Sequence, residues 1–240
     1  MHGIQYDEIH DEIFVNQPFA HAVLTFRGGA NGEEPPIRVL QGPLTQIANA
    51  STLTIDQINN EILIPQGNAL LVFPREANGN VAPIRILKGP DALGGVGSVA
   101  VDPVHNVLLA SGRSAAGEEG VMIFDRTAQG NAKPRGVIRI AYGAGGGRID
   151  ASPPRGLFTV VVKPRNAPPG VNDNSAKDVD FVGVWSIDDR GDAPPRWMIG
   201  GPGGVLQWIF GSVLDPKHKT VIIADMRLNA VVTFSFPEIF

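Results

Sequence analysis

Three histidines stand three residues after an aspartate: Asp7 and His10, Asp102 and His105, Asp215 and His218. An imidazole beside a carboxylate is the pairing that moves protons or ligates a metal. His2 and His21 complete the set of 5. Acyl transfer through serine would need a Gly-x-Ser-x-Gly elbow, and the chain has none, so no His–Asp pair is tied to a nucleophile. Cysteine is absent, which removes thiolate chemistry and disulfides. The run Tyr142 to Gly147 resembles a phosphate loop only in its glycines. It lacks the Lys-Ser/Thr ending and opens no helix, so it reads as a link between structural units.

Composition narrows the classes further. A net charge of −4 with scattered Lys and Arg supplies no field for nucleic acid. The longest uncharged stretch, Trp197 to Leu214, is broken by glycines and a proline and makes a poor membrane span. Gly 29 and Pro 20 together make about a fifth of the 240 residues, as expected of many short strands and tight turns.

Those strands repeat. Phe26, Gly32 and Pro36 are followed by Phe73, Gly79 and Pro83, by Phe124, Gly130 and Pro134, and by Trp185, Gly191 and Pro195. Phe234 opens a fifth set, and successive aromatics lie 47, 51, 61 and 49 residues apart. A period near 50 in a strand-rich chain marks an array of small sheets. Each repeat reads as four strands. The first ends in a turn-forming Asp (Asp7, Asp56, Asp102, Asp215), the second is apolar, and the third carries the marker aromatic. The fourth opens after Pro and carries Arg, as in Ile37 to Leu40 and Ile84 to Leu87, which suits an exposed edge. Four antiparallel strands stacked about an axis form a β-propeller blade. The expectation is one all-β propeller domain over 1–240, with repeats near 2–48, 49–95, 96–145, 146–205 and 206–240 and the aromatics buried between blades. The last repeat lacks a fourth strand, so the ring is expected to be five-bladed or part of a six-bladed one, with residues upstream of Met1 missing.

Asp102 to Asn106, Ile13 to Val15, Ala77 to Arg85 and Ala224 to Val231 together resemble the NHL-type propellers of bacterial proteins, over nearly the whole chain. That resemblance implies a scaffold, a sugar-lactone hydrolase or a lyase. It also implies an extracytoplasmic location, where a removed leader would account for the absent N-terminal piece. Lactonase-like propellers hold a divalent ion at the axis through Glu, Asn and Asp at the starts of inner strands. The matching positions here are His2 or Gly3, Ser51 or Thr52, Gly97 or Ser98, Arg148, and Gly211 or Ser212. None is a carboxylate and one is a cation, so neither a metal nor a cofactor is expected. In a ring, the three Asp-x-x-His turns sit at equivalent tips of different blades, too far apart to share a ligand.

The irregular segments all fall on the opposite rim. Ser111 to Glu119 and Lys163 to Asp180 are expected to be long loops there, and long loops are common sites of recognition. Gly203 to Phe210 enters the last repeat from the same side, its aromatics either flooring a pocket or packing between blades. The residues expected to meet a protein or other polar partner are His21, Arg113, Arg148, Arg165, Trp208, Asp225 and Arg227. The reading is a binding or assembly module, with a metal-dependent lactonase-like hydrolase as the competing class.

Overall fold

The computed structural model describes residues 3–48, 51–140, 147–163, 180–201 and 203–240. It is a five-bladed β-propeller. The first sheet holds β1 (Gly3–Asp7), β2 (Glu12–Gln17), β3 (Ala22–Arg27) and β4 (Arg38–Gln41). The second holds β5 (Thr54–Asp56), β6 (Glu61–Gln66), β7 (Ala69–Pro74) and β8 (Arg85–Leu87). The third holds β9 (Leu93–Asp102), β10 (Val107–Ser114), β11 (Glu119–Asp125) and β12 (Gly136–Arg139). The fourth holds β13 (Ile149–Ser152), β14 (Leu157–Val162), β15 (Phe181–Ser186) and β16 (Trp197–Gly200). The fifth has three described strands, β17 (Ile209–Asp215), β18 (Thr220–Asp225) and β19 (Ala230–Ser235). Every sheet is an antiparallel meander, and the only helical pieces among the described residues are single 3-10 turns that begin at proline.

Sequence dictates this layering directly. The middle strands, such as Ala69–Pro74 and Leu157–Val162, are apolar on both faces and are buried almost throughout. The first and fourth strands carry polar residues and lie at the axis and the circumference. Four buried clusters fill the seams between consecutive blades. Phe73 joins the first seam, Phe124 the second and Trp185 the third, while Phe234 is partly buried against the fourth. Among the described residues no buried cluster joins the fifth blade to the first, and Ile4, Tyr6, Val213 and Val231 are exposed there. The expectation that all the marker aromatics are buried between blades therefore fails at Phe26, which is only half-buried and faces that seam, and at Phe234, which is partly buried against the fourth.

The marker glycine has a role that its turn position does not reveal. Gly79, Gly130 and Gly191 form parallel bridges to Leu40, Leu87 and Ile138, each on the outer strand of the preceding blade. Gly130 N–H donates to Ile86 at 2.7 Å and its carbonyl accepts from Lys88 at 2.9 Å. The residue after the glycine extends the clasp, for Asn80 and Asn131 accept from Leu44 N–H and Asp91 N–H at 2.7 Å each. Beneath it, buried carboxylates cross two seams. Glu12 accepts from Arg38 at 2.6 Å and from Arg75 of the next blade at 2.5 Å. Glu61 likewise holds Arg85 and, at 3.0 Å, Arg126. Val107 takes this place in the third blade, and the ionic link across the third seam is made at the surface instead, where Arg139 donates to Asp192 of the next blade at 2.6 Å and to Glu118 at 3.2 Å.

One expected loop is a strand extension. Ser111 to Ser114 continues β10 and Glu119 opens β11, so the insertion makes the third blade taller at that rim. Ser111 and Ser114 are buried within it, which an exposed loop would not allow. Of the other insertion, Lys163 and Asp180 are described and residues 164–179 fall outside the described residues, as do His2 and 142–146 of the glycine run.

Candidate functional site

At the seam between the fourth and fifth blades, the chain entering β17 alternates between core and solvent. Leu206 and Ile209 pack inward, while Trp208 and Phe210 point out, at 39% and 51% exposure. Carboxylates fix this segment. Asp225 Oδ2 accepts from Gln207 N–H at 2.6 Å and Trp208 N–H at 3.0 Å, and its Oδ1 accepts from Arg227 N–H and Leu228 N–H. Burial opposes its charge, yet these four backbone donors hold the carboxyl below the usual range. Asp180 Oδ2 accepts from Ile209 N–H at 2.8 Å and pairs with Lys163 at 3.3 Å. Burial raises the Asp180 carboxyl, with Lys163 opposing the shift. The Lys163 ammonium lies 5.2 Å from the centre of the Trp208 ring. The result is an indole with one face toward a cation, held rigidly at the rim and partly open to solvent.

Inside this rim an axial cavity of about 780 Å³ runs between the inner strands of all five blades. It reaches from Arg148 to Ile9, Ile58 and Pro103 near the opposite rim, and opens between the fifth and first blades along Tyr6, Val213 and Val231. Gly3, Thr52, Ser98, Gly211 and Ser212 line the wall, matching the axial positions expected from sequence. Arg148 is half-buried, its guanidinium 5.6 Å from the centre of the Phe210 ring, and burial lowers its pKa. Asp150 accepts from Leu214 N–H at 2.8 Å across the seam, and burial pushes its carboxyl up to about 6. Among the described residues no three His, Asp or Glu side chains converge on a common point. A divalent ion at this axis would face a guanidinium, with Asp56 and Asp150 as the two carboxylates among the described lining residues.

The expected partner-facing residues are divided among blades. Arg148, Trp208, Asp225 and Arg227 gather at the seam of the fourth and fifth blades, though Asp225 is 2% exposed and acts as a scaffold. His21 lies on the first blade in a left-handed backbone conformation, its Nδ1 hydrogen-bonded to the carbonyl of Ala48. Arg113 lies on the third blade and pairs with Glu119 at 3.2 Å. Arg165 lies outside the described residues. Phe210, expected only as one of the aromatics of the Gly203 to Phe210 entry, joins the cluster, and so does the Lys163–Asp180 pair, whose contact sequence alone did not show. Phe210 shows that the aromatic-rich entry floors the cavity, a distinction that single-sequence alternation leaves open in a glycine-rich segment.

The three Asp-x-x-His pairs form self-contained turns at the other rim. His105 Nδ1 lies 2.7 Å from Asp102, which also accepts from His105 N–H at 2.9 Å, and Asp7–His10 and Asp215–His218 repeat the arrangement. Both oxygens of each carboxylate are thereby engaged in holding the turn.

No family model matches the chain, and no curated protein sequence matches it. Solved structures do. A chain of Kuenenia stuttgartiensis hydrazine synthase superposes with a TM-score of 0.63 at 14% identity, covering 98% of this chain and 64% of that one. The WD40 domain of Toxoplasma gondii coronin gives 0.57 at 11% identity, covering 93% and 52%. A chain of the mitotic checkpoint complex gives 0.56 at 13% identity, covering 94% and 59%. This chain thus spans between about half and two thirds of the chains it matches. At such identities the likeness is one of fold. Among the described residues no helix is long and apolar enough to cross a membrane.

Proposed function

We propose that this protein is a non-enzymatic binding module that presents the Trp208 rim to a protein partner. The observation that carries the reading is the Trp208 indole, 39% exposed yet fixed by Asp225 and faced by Lys163. A rigid, partly exposed aromatic beside Arg and Lys is the composition of a binding hot spot, because ordering it on contact costs little further entropy. Neighbours drawn from a WD40 domain and from a named multiprotein complex support a protein as the partner. An extracytoplasmic location belongs to the same proposal, and fractionation of the native source checks it.

The test compares wild type with Trp208→Ala, Arg148→Ala and His105→Ala in capture from the native source. Each variant is first shown to be folded by circular dichroism. A specific partner should be lost by at least about tenfold with Trp208→Ala or Arg148→Ala. The same partner should be retained with His105→Ala on the other rim. Equal capture by all four proteins removes the rim assignment. Global unfolding of Trp208→Ala would place that side chain in the core instead.

A further inference from the structure

We infer that the axial cavity is a binding site for a single carboxylate carried on a partly apolar body, with Arg148 as its counter-ion. The described arginines elsewhere are engaged or lie out in solvent. Arg38, Arg75, Arg85 and Arg126, the most buried of them, all reach Glu12 or Glu61. Arg113, Arg135, Arg139 and Arg196 pair with nearby acids even at the surface. Arg148 alone combines partial burial and a loss of hydration with no carboxylate or carbonyl partner among the described residues. A guanidinium taken partly out of water is destabilised until an anion meets it.

The surroundings decide which anion. The Phe210 ring supports the cation, and Thr52, Ser98 and Ser212 with strand backbone supply neutral hydrogen-bonding groups in the adjoining wall, where the nearby Asp150 carboxyl is held by Leu214 N–H. A carboxylate matches the planar fork of one guanidinium with two parallel hydrogen bonds. A phosphate dianion would bring a second charge with no second cation in the wall, and Asp150, which opposes any anion, would oppose a dianion more strongly than a carboxylate. The cavity, at about 780 Å³, is in the range that encloses a small-molecule ligand or one or two side chains. Apolar groups of Ile4, Val99 and Val213 line it for the body of the ligand. Two sources present this chemistry, a free small organic acid and an acidic side chain inserted by the docked partner. The inference rests on the partner-docking reading only in sharing Arg148 with it.

The experiment is an NMR titration of the whole chain that follows the Arg148 Nε–H resonance. The probes are 3-phenylpropionate and its uncharged amide, and a blocked Gly-Glu-Phe tripeptide and its Gln counterpart. An acid should bind at least about tenfold more tightly than its neutral isostere, the margin of a charge-assisted pair. Arg148→Gln should erase that margin while the fold stands. Preference for 3-phenylpropionate assigns the site to a free acid, and preference for the Glu tripeptide assigns it to a partner side chain. Equal binding of acid and amide, binding by neither pair, or a margin that survives in folded Arg148→Gln overturns the inference. The first two comparisons use wild type alone, so they hold even if the variant does not fold. Trp208→Ala separates this site from the rim reading. That reading fails by itself if capture is indifferent to Trp208→Ala while the acid margin at Arg148 persists.

Discussion

Asp150 shows how one side chain can set the pH response of a seam. Its carboxyl joins β13 to β17 through Leu214 N–H, but burial raises its pKa from 3.8 to about 6. Between those values the folded chain holds a proton that the unfolded chain has released. Stability therefore falls as pH rises through this window, and the full penalty is present above pH 6. Asn keeps an oxygen to accept from Leu214 and cannot ionise. Asp150→Asn should thus be more stable than wild type at pH 7.5, by about 1–2 kcal/mol after allowance for solvent relaxation, and nearly equal to it at pH 4. Urea denaturation of both proteins at the two pH values checks this, since the other titrating groups cancel in the difference. A gain of the same size at pH 4 would show that the charge is not the cause. Asp150 was legible as an acid near the axis, but its partner is 64 residues away on another blade, so its raised pKa was not.

Among elements, the strands themselves were the most legible, because apolar runs separated by Asp-, Gly- and Pro-bearing turns specify both their type and their ends. Outer strands begin about one residue later than the sequence pattern suggests, since the residue after proline is spent on the turn. The inter-blade clasp was not legible, because its two halves lie 39, 43 and 53 residues apart in the three joints and a turn glycine looks the same with or without a partner. Gly130 adopts φ +58, and a Cβ there would meet nothing within 4 Å. Gly130→Ala should therefore cost only the left-handed backbone term, about 1–2 kcal/mol. At Gly120 a Cβ would come within 1.8 Å of the Ile138 carbonyl, so Gly120→Ala should cost several times more. Thermal melts of the two variants rank these costs, and a reversed order would mean that the clasp, not the strand pairing, limits stability.

At the scale of the molecule, stability is a sum over seams, as in other repeat arrays. Phe124 is fully buried in the second seam, whereas Phe26 faces the seam that no cluster fills. Phe124→Ala should lose about 3–5 kcal/mol and Phe26→Ala less than half of that, measured by urea denaturation. Equal losses would show that the first blade is packed as tightly as the third. The repeat made the fifth blade's three strands legible, but the loose seam was not, because apolar content does not tell which face finds a neighbour. The glycine clasp has one more consequence, which concerns how such a chain can lengthen. The second, third and fourth blades each receive the outer strand of the blade before them through their glycine, so the linkage has a direction, like the head and tail of a monomer. A tandem duplication of one full period, cut anywhere within it, reproduces both halves of the joint and needs no new contact to be invented. Growth by a fraction of a period leaves a glycine facing no strand. Changes in blade number are therefore expected to come in whole periods, with ring size set by the wedge of the packed side chains and not by the joint.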